Sequence, residues 1–310
     1  MLDMFIDLAN SSVRMATPLM FAGLGGILSE RAGVMNISLE GHMLTGAFFA
    51  MLVSFYTGSA WCGTLAAGIA GLLLAVIMAV VCVSLNANQI VAGTAINIIA
   101  VGLTSFLLKL FNIKQASTGV VTVNSFSEVP FGPLHDIPVI GPLLFSYKPL
   151  TYLAFVLVAV LAVYFNRTKI GLVHKSVGEN PQAADTLGIS VQKVRYLAVL
   201  GCGFLCGVGG AVLSISQLNQ FQDEMVAGKG FIAFAAIIFG KWTPKGMMLA
   251  ALLFGAADAI QMRVQASGIG ISYHLLQMLP YLITMVALAG IIGKTVPPAA
   301  DGYPYNKEER

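Results

Sequence analysis

Apolar residues run through this chain in long unbroken blocks, without the alternation of a half-buried strand. No residue from Gly41 to Leu108 is Asp, Glu, Lys or Arg, and the same holds for residues 150–166, 196–222 and 264–293. A helix needs about 20 residues to cross a hydrocarbon core of about 30 Å, so the first block alone holds about three crossings. Backbone N–H and C=O groups in lipid must bond within their own helix or around a closed barrel, and these blocks lack the alternating pattern of a barrel. The pattern therefore predicts an all-α, polytopic transmembrane bundle, one permeation-type domain over residues 1–310. Helices are expected near 14–28, 40–58, 62–84, 88–109, 149–166, 196–217, 230–241, 246–262 and 273–292, with about 8–10 spans in all.

Two polar stretches interrupt the blocks. The first, residues 112–148, contains "FSEVPFGPLHDIPVIGPL", rich in proline and glycine and poor in basic residues, and reads as an external loop. The second, residues 167–195, carries Arg167, Lys169, Lys175, Lys193 and Arg195, which by the positive-inside tendency places it in the cytoplasm. The tail, residues 294–310, joins it there if the short helix near 230–241 crosses fully.

Composition agrees with a membrane protein: 57% of residues are hydrophobic and 10% charged, against about 25% charged in a soluble domain. The mean hydropathy is +0.83. The start, "MLDMFIDLANSSVRM", has Asp3 and Asp7, no basic residue before Arg14 and no cleavage site, so it is a poor signal peptide and is expected to be retained. Residues 3–14 can cross, lie flat or extend outside. Cys62, Cys82, Cys202 and Cys206 read as free thiols buried as small hydrophobes. The net charge of +3 is that of membrane loops and does not point to nucleic acid. Gly203 and Gly207, four apart, form with Gly210 a small-residue face suited to internal helix packing or to self-association.

Within the second polar stretch, "KSVGENPQAADTLGIS" (Lys175 to Ser190) has the start and stop signals of a short helix. Asn180 suits the N-cap, Pro181 the first helical position and Gly188 the left-handed position after the last turn. A helix over 181–187 is about 10 Å long and too short to be stable alone. Ala183, Ala184 and Leu187 fall mostly on one face, sized for a shallow groove on another protein, with Glu179 and Asp185 at the rim. The segment also fits a capped turn on the lipid surface, although an interfacial helix carries bulkier apolar residues and internal basic ones.

This segment resembles the cytoplasmic coupling helix of ABC-importer permeases in the branched-chain amino acid, sugar and nucleoside permease group. Four further blocks are similar in the same order: "GGILSERAGVMNISLEGHMLTGAF" (Gly25 to Phe48), "NQIVAGTAINIIAVGL" (Asn88 to Leu103), "QFQDEMVAGKGFIAFAAIIFGKWTPKG" (Gln220 to Gly246) and "PPAADGYPY" (Pro297 to Tyr305). The first and last look closest to nucleoside permeases that work with a basic-membrane-lipoprotein type of binding protein. The resemblance implies a multi-pass subunit in the bacterial cytoplasmic membrane, carrying nucleosides, purine nucleosides first among them. It implies as partners a second related permease, an ABC ATPase and an external substrate-binding lipoprotein. It implies no cofactor in this chain, since ATP and Mg²⁺ belong to the ATPase, and assigns ATPase coupling to Gly178, Glu179, Asn180, Pro181, Ala183, Ala184, Asp185, Leu187 and Gly188. A permease for a simple sugar or a riboflavin-like solute is the alternative within the group, and an ion-coupled secondary transporter the alternative outside it.

The residues agree that the chain has no motor of its own. "GIIGKT" (Gly290 to Thr295) would need glycine at position 288 to cradle phosphates, and Leu288 stands there. The histidines His42, His135, His174 and His274 lack metal-ligand spacing, and no G-x-S-x-G elbow occurs. Polar residues within apolar blocks are the candidates for a solute path: Asn36, Glu40, Asn97, Gln217, Gln220, Phe221 and Phe231. Amides pair with base edges and ribose hydroxyls and aromatics stack, yet the same amides can bond helix to helix. Glu30, Arg31, Asn36 and Glu40 fit equally an internal network fixing a bent helix pair. Asp258 is placed either against Arg263 or at an interface.

Overall fold

The computed structural model describes residues 2–111, 125–129, 140–266, 278, 282 and 295–306. The described residues form eleven α-helices and no strand. They are α1 (Leu2–Arg31), α2 (Leu39–Thr57), α3 (Ala60–Ala79), α4 (Gln89–Leu110), α5 (Ile140–Leu144), α6 (Pro149–Arg167), α7 (Lys169–Glu179), α8 (Pro181–Thr186), α9 (Val191–Ala211), α10 (Lys229–Phe239) and α11 (Pro244–Ala266). Two π turns, Val80–Ser84 and Val212–Leu218, extend α3 and α9. Five segments are long and apolar enough to cross a membrane: Ala60–Ser84, Gln89–Leu110, Pro149–Arg167, Val191–Leu218 and Pro244–Ala266. The span expected near 273–292 and most of the 112–148 loop lie outside the described residues.

The first helix is longer than the hydropathy predicted. Acids near a helix N-terminus complement its dipole, so Asp7 does not end it, and Asp7 also pairs with Arg263 of α11 at 3.9 Å. The helix α7 falls where the charge pattern read as loop; Thr168 caps it by accepting from Gly171 N at 3.0 Å, and Gly171, His174, Val177 and Gly178 form its buried stripe.

The helix α9 is the central element and packs on α1, α2 and α3. Its small-residue face is used inside the bundle. A Cβ at Gly207 would meet Ala67 O at 2.1 Å, and one at Gly210 would meet Met43 O at 1.9 Å, so α3 and α2 lie backbone to backbone against it.

Two segments break and restart inside the bundle. After α1, residues 32–38 turn back along it, and Asn36 reaches Cys202 Sγ at 3.3 Å, the twelfth residue of α9. The helix α2 therefore begins near mid-depth. After α9, residues 219–228 fold back in the same way, and α10 begins beside Glu40 of α2. With 11 residues, α10 is about 17 Å long, about half a hydrocarbon core. Residues 219–228 lead into it from the end of α9.

Candidate functional site

The two mid-depth helix starts flank a cavity of about 670 Å³ whose lining includes Glu40, Asn97, Ile98, Val101, Gly228 and Phe231. Its walls are mostly apolar, with Phe231 half exposed at its edge.

The polar groups here are largely engaged with backbone. Asn97 of α4 accepts from Gly41 N at 2.8 Å and donates to Ile37 O at 3.1 Å, so both ends of its amide serve the start of α2. The Glu40 carboxylate accepts from Gly228 N and from Gly230 N, each at 2.7 Å, at the N-terminus of α10. An N-terminus is where a helix dipole and its unbonded N–H groups favour an anion. Lys229, between those glycines, pairs with Asp258 of α11 at 3.6 Å. Asp258 thus takes Lys229 as its partner, while Arg263 turns to Asp7 and donates to Met4 O at 3.0 Å.

Of the expected path residues, Glu40, Asn97 and Phe231 converge on this cavity and four lie elsewhere. Asn36 is fully buried, accepting from Ser38 N at 3.0 Å and from the Ser38 hydroxyl. Gln217 lines a separate cavity of about 300 Å³ with Arg14, Glu128 and Lys148, and donates to Arg14 O at 2.5 Å. Gln220 is partly buried at the start of the re-entrant turn. Phe221 is fully buried and meets Phe48 edge-on with ring centroids 5.4 Å apart. The apolar lining, Ile98 and Val101 among it, escaped notice because apolar residues inside apolar blocks carry no distinguishing signal.

The polar residues of the first block divide into two groups. Asn36 and Glu40 sit at mid-depth. Glu30 and Arg31 sit at the bundle end that bears residues 167–195, where Trp242 Nε1 donates to Glu30 and Arg31 Nε donates to Trp242 O at 3.0 Å. Arg31 also approaches Glu179 at 3.8 Å.

At that end α7 and α8 form a bent pair. Asn180 Oδ1 accepts from Ala183 N at 3.0 Å, Pro181 opens α8, and Gly188 follows with φ +80°, as the cap signals foretold. The apolar face is divided: Ala184 is buried against Val177 and Val191, whereas Leu187 is 80% exposed. A Cβ at Gly178 would meet Arg31 O at 2.3 Å, so α7 rests directly on the end of α1. His174 donates from Nε2 to Leu28 O at 2.7 Å and accepts from Tyr164 at 3.2 Å. Burial holds this imidazole below its usual pKa, and Arg31 lowers it further against the pull of the Leu28 carbonyl.

The tail returns to the same place. Ala300 N donates to Gly178 O at 2.8 Å, the buried Arg195 donates to Tyr303 O at 3.0 Å and to Ala32 O at 3.2 Å, and Tyr305 packs against the Ala184 cluster. Burial pushes the Asp301 carboxyl up to about 7, the nearby Arg195 guanidinium opposing the rise.

Comparison with known proteins places the chain. Residues 8–293 match the branched-chain amino acid transport system permease component family, and the chain belongs to it. It is a multi-pass membrane transport subunit. It is 41% identical to the nucleoside ABC transporter permease protein NupC of Lactococcus lactis, over 95% of both chains. It is 39% identical to the guanosine ABC transporter permease protein NupQ of Bacillus subtilis, again over 95% of each. It is 36% identical to the putative glucose ABC transporter permease protein TsgC13 of Haloferax volcanii, over 96% of this chain and 88% of that one. The first two organisms each hold a second, more distant permease relative, NupB and NupP. No solved structure matches.

Proposed function

We propose that this chain is the membrane-spanning subunit of an ABC importer that carries nucleosides, purine nucleosides foremost, across a bacterial cytoplasmic membrane. The observation that carries the solute class is the similarity along nearly the whole chain to a nucleoside permease and a guanosine permease. The apolar cavity edged by Phe231 is compatible with an uncharged, stackable solute.

The partners are a second, related permease, an ABC ATPase that binds ATP and Mg²⁺, and an external binding lipoprotein. The end bearing residues 167–195 faces the cytoplasm, as its basic residues favour, and the segment from Gly178 to Gly188 docks on the ATPase. Leu187, Ala183 and the ends of α8 meet the motor, while Ala184 holds α8 to its own chain. Force on α8 passes through Gly178 and Glu179 to Arg31, where α1 ends. From there it reaches residues 32–38 and, through Trp242, the turn after α10. Both walls of the cavity are thereby linked to one lever, which is what a switch between two open faces requires.

A sugar is the second solute class, favoured by the resemblance to the putative glucose permease. Uptake of labelled guanosine into vesicles holding this chain, its paired permease, the ATPase and the binding protein decides between them, with adenosine, uridine, glucose and ribose as competitors. Inhibition by nucleosides and not by sugars is expected. ATP turnover without guanosine movement, or inhibition by glucose alone, would remove the nucleoside assignment and leave the permease.

A further inference from the structure

A carboxylate beside a transport cavity invites the role of solute ligand, but the geometry assigns Glu40 elsewhere. Each of its oxygens already accepts a short backbone bond, from Gly228 N and Gly230 N at 2.7 Å. Glu40 itself lies in the first turn of α2, so one side chain joins the starts of two helices that both begin inside the bundle. The approach is close enough that a Cβ on Gly230 would lie 2.4 Å from Glu40 N, leaving no room for any side chain there.

The partner segment is built to need such a tie. Asn219, Glu224 and Ala227 have φ of 54°, 55° and 50°, and Gly228 has φ of 84°. Three non-glycine residues in the left-handed region within nine positions is a strained linker, each such residue costing on the order of 1–3 kcal/mol. Outside its own turns, its described polar contacts are Glu40 at its end and, midway, Ser105 to Asp223 at 2.8 Å. Val226, Ala227 and Gly228 of this segment, with Phe231 of α10, form one wall of the cavity.

We propose that Glu40 is a positioning residue for transport: its carboxylate latches the strained 219–228 linker and the start of α10 onto α2, setting the cavity wall without contacting the solute. The kinetic arm of its test rests on the transport reading above; the labelling arm does not.

In Glu40→Gln the side chain keeps its length, but one acceptor becomes an amide that faces an N–H. With the full complex reconstituted, the maximal uptake rate is expected to fall about tenfold while the apparent KM for guanosine stays within about twofold, the mark of an interaction outside solute binding. A cysteine is placed by Phe231→Cys in chains that also carry Cys62→Ser, because Cys62 is exposed and not buried as its apolar block suggested; with and without E40Q it is titrated with a water-soluble maleimide, and labelling is expected to be at least about threefold faster with E40Q as the wall opens locally. Gly230→Ala breaks the same contact from the other side and should give the same pattern, which keeps the test open if E40Q accumulates poorly. A KM increase of about tenfold at an unchanged maximal rate would make Glu40 a solute contact and overturn the proposal. Unchanged labelling in both variants would overturn it as well, whatever solute the complex carries.

Discussion

The two segments that re-enter the bundle do the same topological task by different means. Residues 32–38 are tied along their length: Arg195 holds Ala32, Ser29 holds Val34, Gln89 accepts from Met35 N at 2.7 Å, Asn36 bonds to Ser38 and Cys202, and Asn97 holds Ile37 and Gly41. Residues 219–228 have a buried phenylalanine, an aspartate on a serine, and the Glu40 contact at their end. A backbone loop at membrane depth is tolerated only where its polar groups find partners. The first segment meets that demand with side chains from α1, α4 and α9, and is a fixed post. The second meets it chiefly with its own turns, and is the more lightly held of the two.

Breaking the post should have the largest effect. Asn97→Leu leaves Gly41 N–H and Ile37 C=O without their partner, at about 1–3 kcal/mol for each orphaned group. Loss of most folded permease from detergent extracts, read by thermal unfolding, is the expected outcome, and a normal melting profile would show the post to be redundant.

Next comes the base shared by both segments. Gly178→Val forces a side chain into Arg31 O, an overpacking worth about 1–3 kcal/mol. The ATPase recovered with the purified permease should drop several-fold while permease yield holds.

A smaller effect is expected at Asp301, whose carboxyl lies near 7 in place against about 3.9 when free. The docked tail therefore holds a proton that the released tail gives up, so docking weakens as pH rises from about 4 to about 7 and is level above that. Protease cleavage of the tail, compared between pH 5.5 and 7.5, should be faster at the higher pH, and Asp301→Asn should abolish the difference.

The smallest effect belongs to the exposed tie of the lightly held segment. Ser105→Ala removes the bond to Asp223 and should shift stability by no more than about 0.5 kcal/mol. A change as large as that of Asn97→Leu would erase the distinction between the firmly tied and the lightly held segment.

Much of this was written in the residues. The apolar blocks located the long spans, the caps of α8 located Asn180, Pro181 and Gly188, and Gly203, Gly207 and Gly210 pointed to close packing. Depth was harder to read. Asn36 and Glu40 entered the solute-path and the bent-pair readings together, but the break before Leu39 gives them different tasks, and no hydropathy window can register a helix that starts halfway across. The amphipathic α7 was hidden by its basic residues, and the pairing of Asp258 with Lys229 rather than Arg263 depends on tertiary approach. The tail was given a side of the membrane but no place on the bundle until Gly178 and Arg195 were found holding it.

That last contact bears on how the protein is made. Arg195 is held by Tyr303, 108 positions later in the chain, and Gly178 by Ala300. On a ribosome the α7–α8 pair emerges long before the residues that brace it. The α7–α8 surface is thus finished only after nearly every preceding helix has been made, and a chain interrupted before residue 300 would leave that pair unbraced. On the docking proposed above for α8, order of synthesis alone would keep half-built permeases from recruiting an ATPase.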